Sequence, residues 1–174
     1  MSSLADYFDL RKSFPFYGSY HNDKRNQLVH IAFVPVIFTT ALTFGSFAKV
    51  PSIGSFSDAA ALFYAVSFIK MEPTAGLLYA PVIAMMHYLG TQVLTQHMGL
   101  AVGLHAVGWL SQFYAHAVFE GRKPALVDNL FQSIHAAVFF VWLELLFALG
   151  YKPELHRELQ ALVKERMKGF AKKQ

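Results

Sequence analysis

Residues Pro73 to Phe119 read PTAGLLYAPVIAMMHYLGTQVLTQHMGLAVGLHAVGWLSQFYAHAVF, 47 positions without one Asp, Glu, Lys or Arg. A helix needs roughly 20 apolar residues to cross a bilayer. The stretch therefore fits two crossings, at about Ala75–Leu94 and Met98–Phe119, with Thr95-Gln96-His97 as the turn. Outward from it, a second charge-free run lies between Arg25 and Lys49 and holds a span of about Leu28–Phe47. A third apolar block, Leu130–Leu149, contains one acid, Glu144. Ala59–Ile69, between Asp58 and Lys70, is apolar but short: either a tilted span or one arm of a re-entrant hairpin.

Composition agrees. The 174 residues suit one domain, and 55% of them are hydrophobic, which excludes a disordered chain. Charged residues make up 15%, against about 25% in an ordinary soluble domain. There is no Cys, so disulfides, thiolate metal sites and cysteine nucleophiles are excluded. The net charge of +4 would permit a nucleic-acid partner, but the distribution of charge points to a lipid bilayer, and no nucleic acid is expected.

The expected fold is all-α: a multi-pass integral membrane helical bundle of about four to five spans. Residues 1–174 are expected to form one membrane-embedded domain, with 1–27 a cytosolic N-terminal segment and 152–174 a surface tail. Arg11, Lys12, Lys24 and Arg25 precede the first span, which favours a cytosolic N-terminus. The first 27 residues contain no apolar signal core, so the first span is expected to direct insertion. The basic tail joins the N-terminus in the cytosol if the number of full spans is even, which favours four plus a shorter piece. From Pro153 to Lys173, Leu155, Leu159, Leu162, Met167 and Phe170 alternate with Lys and Arg as a basic amphipathic helix, expected on the membrane surface.

Eight histidines fall mostly in or beside these spans: His21, His30, His87, His97, His105, His116, His135 and His156. An ionisable residue inside a membrane is costly and is a functional candidate for that reason. His105, Trp109, Gln112, His116 and Glu120 recur at steps of 4, 3, 4 and 4, along one helical stripe facing the bundle interior. His105 and His116 stand roughly 16 Å apart along a helix, too far to share one ion. The His116 end is the favoured one, with Glu120 one turn on. Near the N-terminus, Asn22, Asn26 and His30 lie on one helical line. His21 can share a metal with His30 only from a loop outside that helix, with Asn22 as the N-cap. If four crossings separate residue 27 from residue 119, His21, His30, His116 and Glu120 converge at one membrane face.

Phosphate-binding glycine loops, the G-x-S-x-G elbow and paired histidine boxes are all absent. Several His with a carboxylate and no Cys suit a mononuclear non-haem Fe(II) site, and zinc accepts the same ligands.

These residues resemble the fungal 2-hydroxy fatty acid dioxygenase family, the Mpo-like enzymes of phytosphingosine breakdown. The resemblance covers most of the chain. It rests on Phe16-Tyr17-Gly18-Ser19-Tyr20-His21-Asn22, then Asn26, His30 and Phe33-Val34-Pro35. It continues through Gly108-Trp109, Gln112-Phe113 and His116, then Glu120-Gly121-Arg122-Lys123-Pro124-Ala125-Leu126, Asp128-Asn129-Leu130, Gln132 and Glu144. It implies a multi-pass enzyme of the endoplasmic-reticulum membrane that uses Fe(II) and O₂. Such an enzyme shortens a 2-hydroxy fatty acid by one carbon to an odd-chain acid. The family's functional histidines map onto His21, His30 and His116, the expected metal ligands.

Glu120, Asn26 and Gln112 complete the expected catalytic set, Glu120 as a fourth ligand, an orienter of a histidine or a partner of Arg122. Arg122 or Lys123 would hold the substrate carboxylate, with Trp109 along the acyl chain. Two other classes stay open: a bis-histidine haem carrier, through His87 and His105 or His30 and His116, and a membrane scaffold without a metal.

Overall fold

The charge-free runs become helices because in lipid only a helix satisfies every backbone N–H and C=O within one segment. The computed structural model describes residues 4–171, and among these every regular element is helical apart from one pair of two-residue strands. In order it comprises α1 Leu4–Tyr7, α2 Leu10–Gly18, α3 Lys24–Gly45, β1 Lys49–Val50, β2 Gly54–Ser55, α4 Phe56–Met71 and α5 Pro73–Tyr88. Then come α6 Met98–Ala115, α7 Leu130–Ala148 and α8 Pro153–Ala171. The end of the expected tail, Lys172 to Gln174, lies outside the described residues.

Three described helices are long and apolar enough to cross a membrane: Lys24–Gly45, Pro73–Gln96 and Leu130–Ala148. The second is α5 prolonged by a π-helical turn, Leu89–Val93, and a 3₁₀ turn, Leu94–Gln96. The expected span over Met98–Phe119 is α-helical to Ala115, continues as a π-helical turn to Glu120, and is not among the three. Its His105, Ser111 and Gln112 make it the more polar element.

The chain divides into two packed units: residues up to Ile31 with those from Phe113 onward, and Ala32–Gln112. In the second unit, α4 and α5 form a hairpin joined by Glu72 alone. Glu72 ends α4 and caps α5, its Oε2 accepting from Ala75 N at 2.6 Å, and Pro73 takes the first helical position, where its missing N–H costs nothing. A Cβ on Gly76 would stand 2.4 Å from Ile69 N, so the backbones meet where only glycine fits. The short apolar segment is thus one arm of a helical hairpin. Gly90 approaches Thr39 O of α3, and Gly108 of α6 approaches Ile37 of α3, by the same small-residue device.

In the first unit, α2 packs on α7 and α8. Phe14 and Tyr17 meet Phe140 at 4.9 and 4.6 Å between ring centroids, and Leu143 and Leu159 are fully buried. Gly18 admits Val163 of α8, and Arg11 of α2 pairs with Glu158 of α8 at 2.5 Å. Leu159 and Val163 of the α8 stripe are therefore buried against protein, with Leu155, Leu162 and Met167 half-buried, where the sequence reading has the stripe facing the membrane surface. An amphipathic pattern demands an apolar neighbour without saying which kind.

Large apolar side chains remain uncovered on many helices, among them Leu28 at 65%, Leu77 at 61% and Leu110 at 67% exposure. Exposure on that scale marks contact with something apolar outside the chain.

Candidate metal centre

Each of three histidines is placed by a different local device, and all three belong to the first unit. His21 follows α2 in a turn, its N bonded to Gly18 O at 3.1 Å. Its Nδ1 lies 2.8 Å from Tyr17 O, and its ring stacks on that of Tyr17 at 3.9 Å. His30 stands in α3, with Nδ1 2.9 Å from Asn26 O. His116 opens a π-helical turn, His116–Glu120, that ends α6. Gly121 closes that turn at φ +60°, the left-handed conformation that glycine adopts without strain.

The three rings come together. Centroids stand at 4.4 Å for His21 and His30, 4.8 Å for His21 and His116, and 5.0 Å for His30 and His116. The candidate ligand nitrogens lie within 4.8 Å of one another, close enough for one ion to be held by all three. All are at most 3% exposed.

The donor set fits a metal on three counts. A carbonyl only accepts, so the nitrogens facing Tyr17 O and Asn26 O carry the protons of His21 and His30. In the neutral form of either ring Nε2 is then the nitrogen with the lone pair, the tautomer a metal needs. His21 Nε2 and His116 Nδ1 are buried without a hydrogen-bond partner, an arrangement that costs about 1–3 kcal/mol per group when nothing else satisfies it. Finally, burial, and then repulsion from His30 and His116, holds the His21 imidazole well below its ordinary value, so it is neutral at pH 7.

Glu120 stays outside this triad. Its Oε1 accepts from Asp23 N at 2.8 Å and from Asn26 Nδ2 at 3.0 Å, tying the end of α6 to the start of α3. Asn26, fully buried, passes that tie to His30 through its carbonyl. Asn22 is not the helix cap the sequence suggests. It donates to Ser19 O, while Asp23 accepts from Arg25 N at the first turn of α3. His21 still lies outside the helix, as a shared site requires.

The other expected residues lie outside the triad. Trp109 Nε1 donates to His105 Nε2 at 3.0 Å, and the opposite nitrogen of His105 meets Thr40 Oγ1 at 2.8 Å. Both nitrogens of His105 are thus used by protein, which leaves none for haem or another metal. His30 and His116 touch edge to face, with no slot for a flat macrocycle between them. Gln112 is buried, with Nε2 unpartnered. Lys123 pairs with Asp128 at 2.6 Å, and Arg122 is exposed. Tyr17 is the residue that residue-by-residue reading passes over, although its i,i+4 spacing to His21 signals the contact.

A family model described as "2-hydroxy-palmitic acid dioxygenase Mpo1-like" matches residues 7–149. The chain is 33% identical over 156 residues to the 2-hydroxy-palmitic acid dioxygenase MPO1 of Saccharomyces cerevisiae, covering 87% of this chain and 88% of the yeast protein. No solved structure matches.

Proposed function

The chain belongs to the Mpo1-like family of 2-hydroxy-palmitic acid dioxygenases, and on that premise we propose that it is an Fe(II)-dependent dioxygenase acting on 2-hydroxy fatty acids. It shortens the acid by one carbon, as a multi-pass protein of the endoplasmic-reticulum membrane. The observation that supports this best is the buried triad of imidazoles, in which His21 Nε2 and His116 Nδ1 have no hydrogen-bond partner.

His21, His30 and His116 would hold the ion. When bound there, iron would supply the site at which O₂ is reduced against the 2-hydroxy carboxylate. With one O₂ per turnover the reaction closes as R–CH(OH)–COOH + O₂ → R–COOH + CO₂ + H₂O.

The protein's own part is orientation and exclusion of water. The carbonyls of Tyr17 and Asn26 fix two rings, and Glu120 fixes Asn26. The Tyr17 and Phe140 rings pack against His21 and keep solvent from it. The uncovered apolar side chains supply a lipid-facing surface from which an acyl chain would arrive.

The test is anaerobic purification in detergent, then metal analysis with O₂ uptake on 2-hydroxypalmitate. Iron near one per chain is expected, with uptake that a chelator stops and Fe(II) restores. Zinc or no metal, without uptake, would overturn the reading.

A further inference from the structure

One acid inside α7 takes no part in the triad. Glu144, the single acid in α7, has Oε1 fully buried, and its carboxylate receives no hydrogen bond among the described residues. A carboxyl oxygen buried without a partner is expensive, and native proteins keep one where it has work to do. It borders a cavity of about 220 Å³ whose wall also includes His21, Lys24, Gln27, His156 and Gln160. Lys24 is the charged neighbour whose field reaches both Glu144 and His156, yet its ammonium makes no ion pair among the described residues. A cation and a carboxyl group thus share one chamber without closing on each other.

We propose that this chamber receives the head group of the 2-hydroxy acid, Lys24 pairing with its carboxylate and Glu144 accepting a hydrogen bond from its 2-hydroxyl. The proposal rests on the dioxygenase reading and names the subsite that selects its substrate. The chemistry matches group by group: a 2-hydroxy acid carries an anion and a hydroxyl donor on adjacent carbons, and the chamber offers a cation and an acceptor. The volume is about seven times the ~30 Å³ share of one water, room for a head group but not for a long chain. His21 belongs to both the chamber wall and the triad, which sets the head group beside the candidate metal centre. The two cations expected to hold the carboxylate are placed otherwise, Lys123 on Asp128 and Arg122 exposed.

The test measures binding without turnover. Metal-free protein in detergent is loaded with a fluorescent fatty acid, which is then displaced by 2-hydroxypalmitate, palmitate or methyl 2-hydroxypalmitate. Wild type is expected to prefer 2-hydroxypalmitate. Lys24→Gln should weaken both free acids about tenfold and leave the methyl ester unchanged, the factor typical of one charge-assisted hydrogen bond. Glu144→Leu should remove the preference for the 2-hydroxy acid over palmitate, and Glu144→Gln should reduce it.

Lys24 is exposed at the first position of α3, so its variant leaves the core intact even if a Glu144 variant does not fold. Unchanged affinities in Lys24→Gln overturn the proposal. So does wild type that 2-hydroxypalmitate fails to displace, or a loss produced by Arg122→Gln instead. Iron-dependent O₂ uptake by wild type, measured separately, tells failure of this subsite from failure of the dioxygenase reading.

Discussion

At the scale of single residues, the triad predicts two distinct kinds of loss. His116→Ala removes one of three donors, so bound metal and O₂ uptake should both fall to background while the protein stays membrane-inserted. Retained turnover in that variant would sink the assignment. Glu120→Gln removes no donor. It weakens the tie through Asn26 to His30, and disturbing such outer partners of a ligand typically costs 10–100-fold in metal affinity. Competition with a chelator of known affinity would show the difference; unchanged affinity would leave Glu120 a helix cap only.

The direction of pH dependence follows from His21. Its folded-state value lies below the unfolded one near 6.5, so the unfolded chain binds more protons in that window. Its contribution to stability is fully present above about pH 6.5 and is lost as pH falls toward the depressed folded value. Metal binding weakens in the same direction, since a protonated imidazole has no lone pair to give. Thermal melts at pH 7.5 and 5.5, with and without chelator, should show a lower midpoint at pH 5.5 in both series.

The meeting of His21, His30 and His116 was legible through the family resemblance; from spacing alone it followed only on the condition that four crossings separate residue 27 from residue 119. The partner of Glu120 was not. An i,i+4 reading pairs it with His116, but the π-helical turn ends that register and turns the carboxylate to Asp23 and Asn26. Nor was the binding partner of Trp109 legible, because two residues four apart on a polar stripe can bond each other as readily as a ligand.

Among the elements, the tightest constraint is the α4–α5 hairpin. A side chain on Gly76 meets backbone on Ile69 and Phe68, not a flexible tip that could swing aside. Gly76→Val should therefore force the helices apart, at a cost of about 1–3 kcal/mol for overpacking. A lower melting midpoint with the His triad still able to bind metal is expected, because the triad belongs to the other unit. Glu72→Ala should cost about 1 kcal/mol through loss of the α5 cap. At this scale the sequence was most informative about span interiors, where long absence of charge leaves few alternatives. It was least informative about α8. Leu159 and Val163 signal a buried stripe, but only the packed structure shows α2 as the surface that buries it.

At the scale of the whole molecule, the triad joins chain segments far apart in sequence, residues 21 and 30 with residue 116. A metal there acts as a cross-link that exists only in the folded state, since an unfolded chain has no preformed site. Ligand linkage then sets the size of the effect: free metal at 100 times its dissociation constant stabilises by about 2.7 kcal/mol. For a chain of this length, 1 kcal/mol moves the melting midpoint roughly 2–4 °C, so Fe(II) should raise it by roughly 5–10 °C. The shift should vanish on chelation and be absent in His116→Ala, while Glu144→Gln, which leaves all three donors in place, should keep it. Anaerobic thermal melts in detergent at fixed protein and metal concentrations would measure this without any substrate. A wild-type midpoint indifferent to Fe(II) would mean that the three imidazoles meet for packing alone, because a metal bound by groups this distant in sequence cannot fail to favour the state that brings them together.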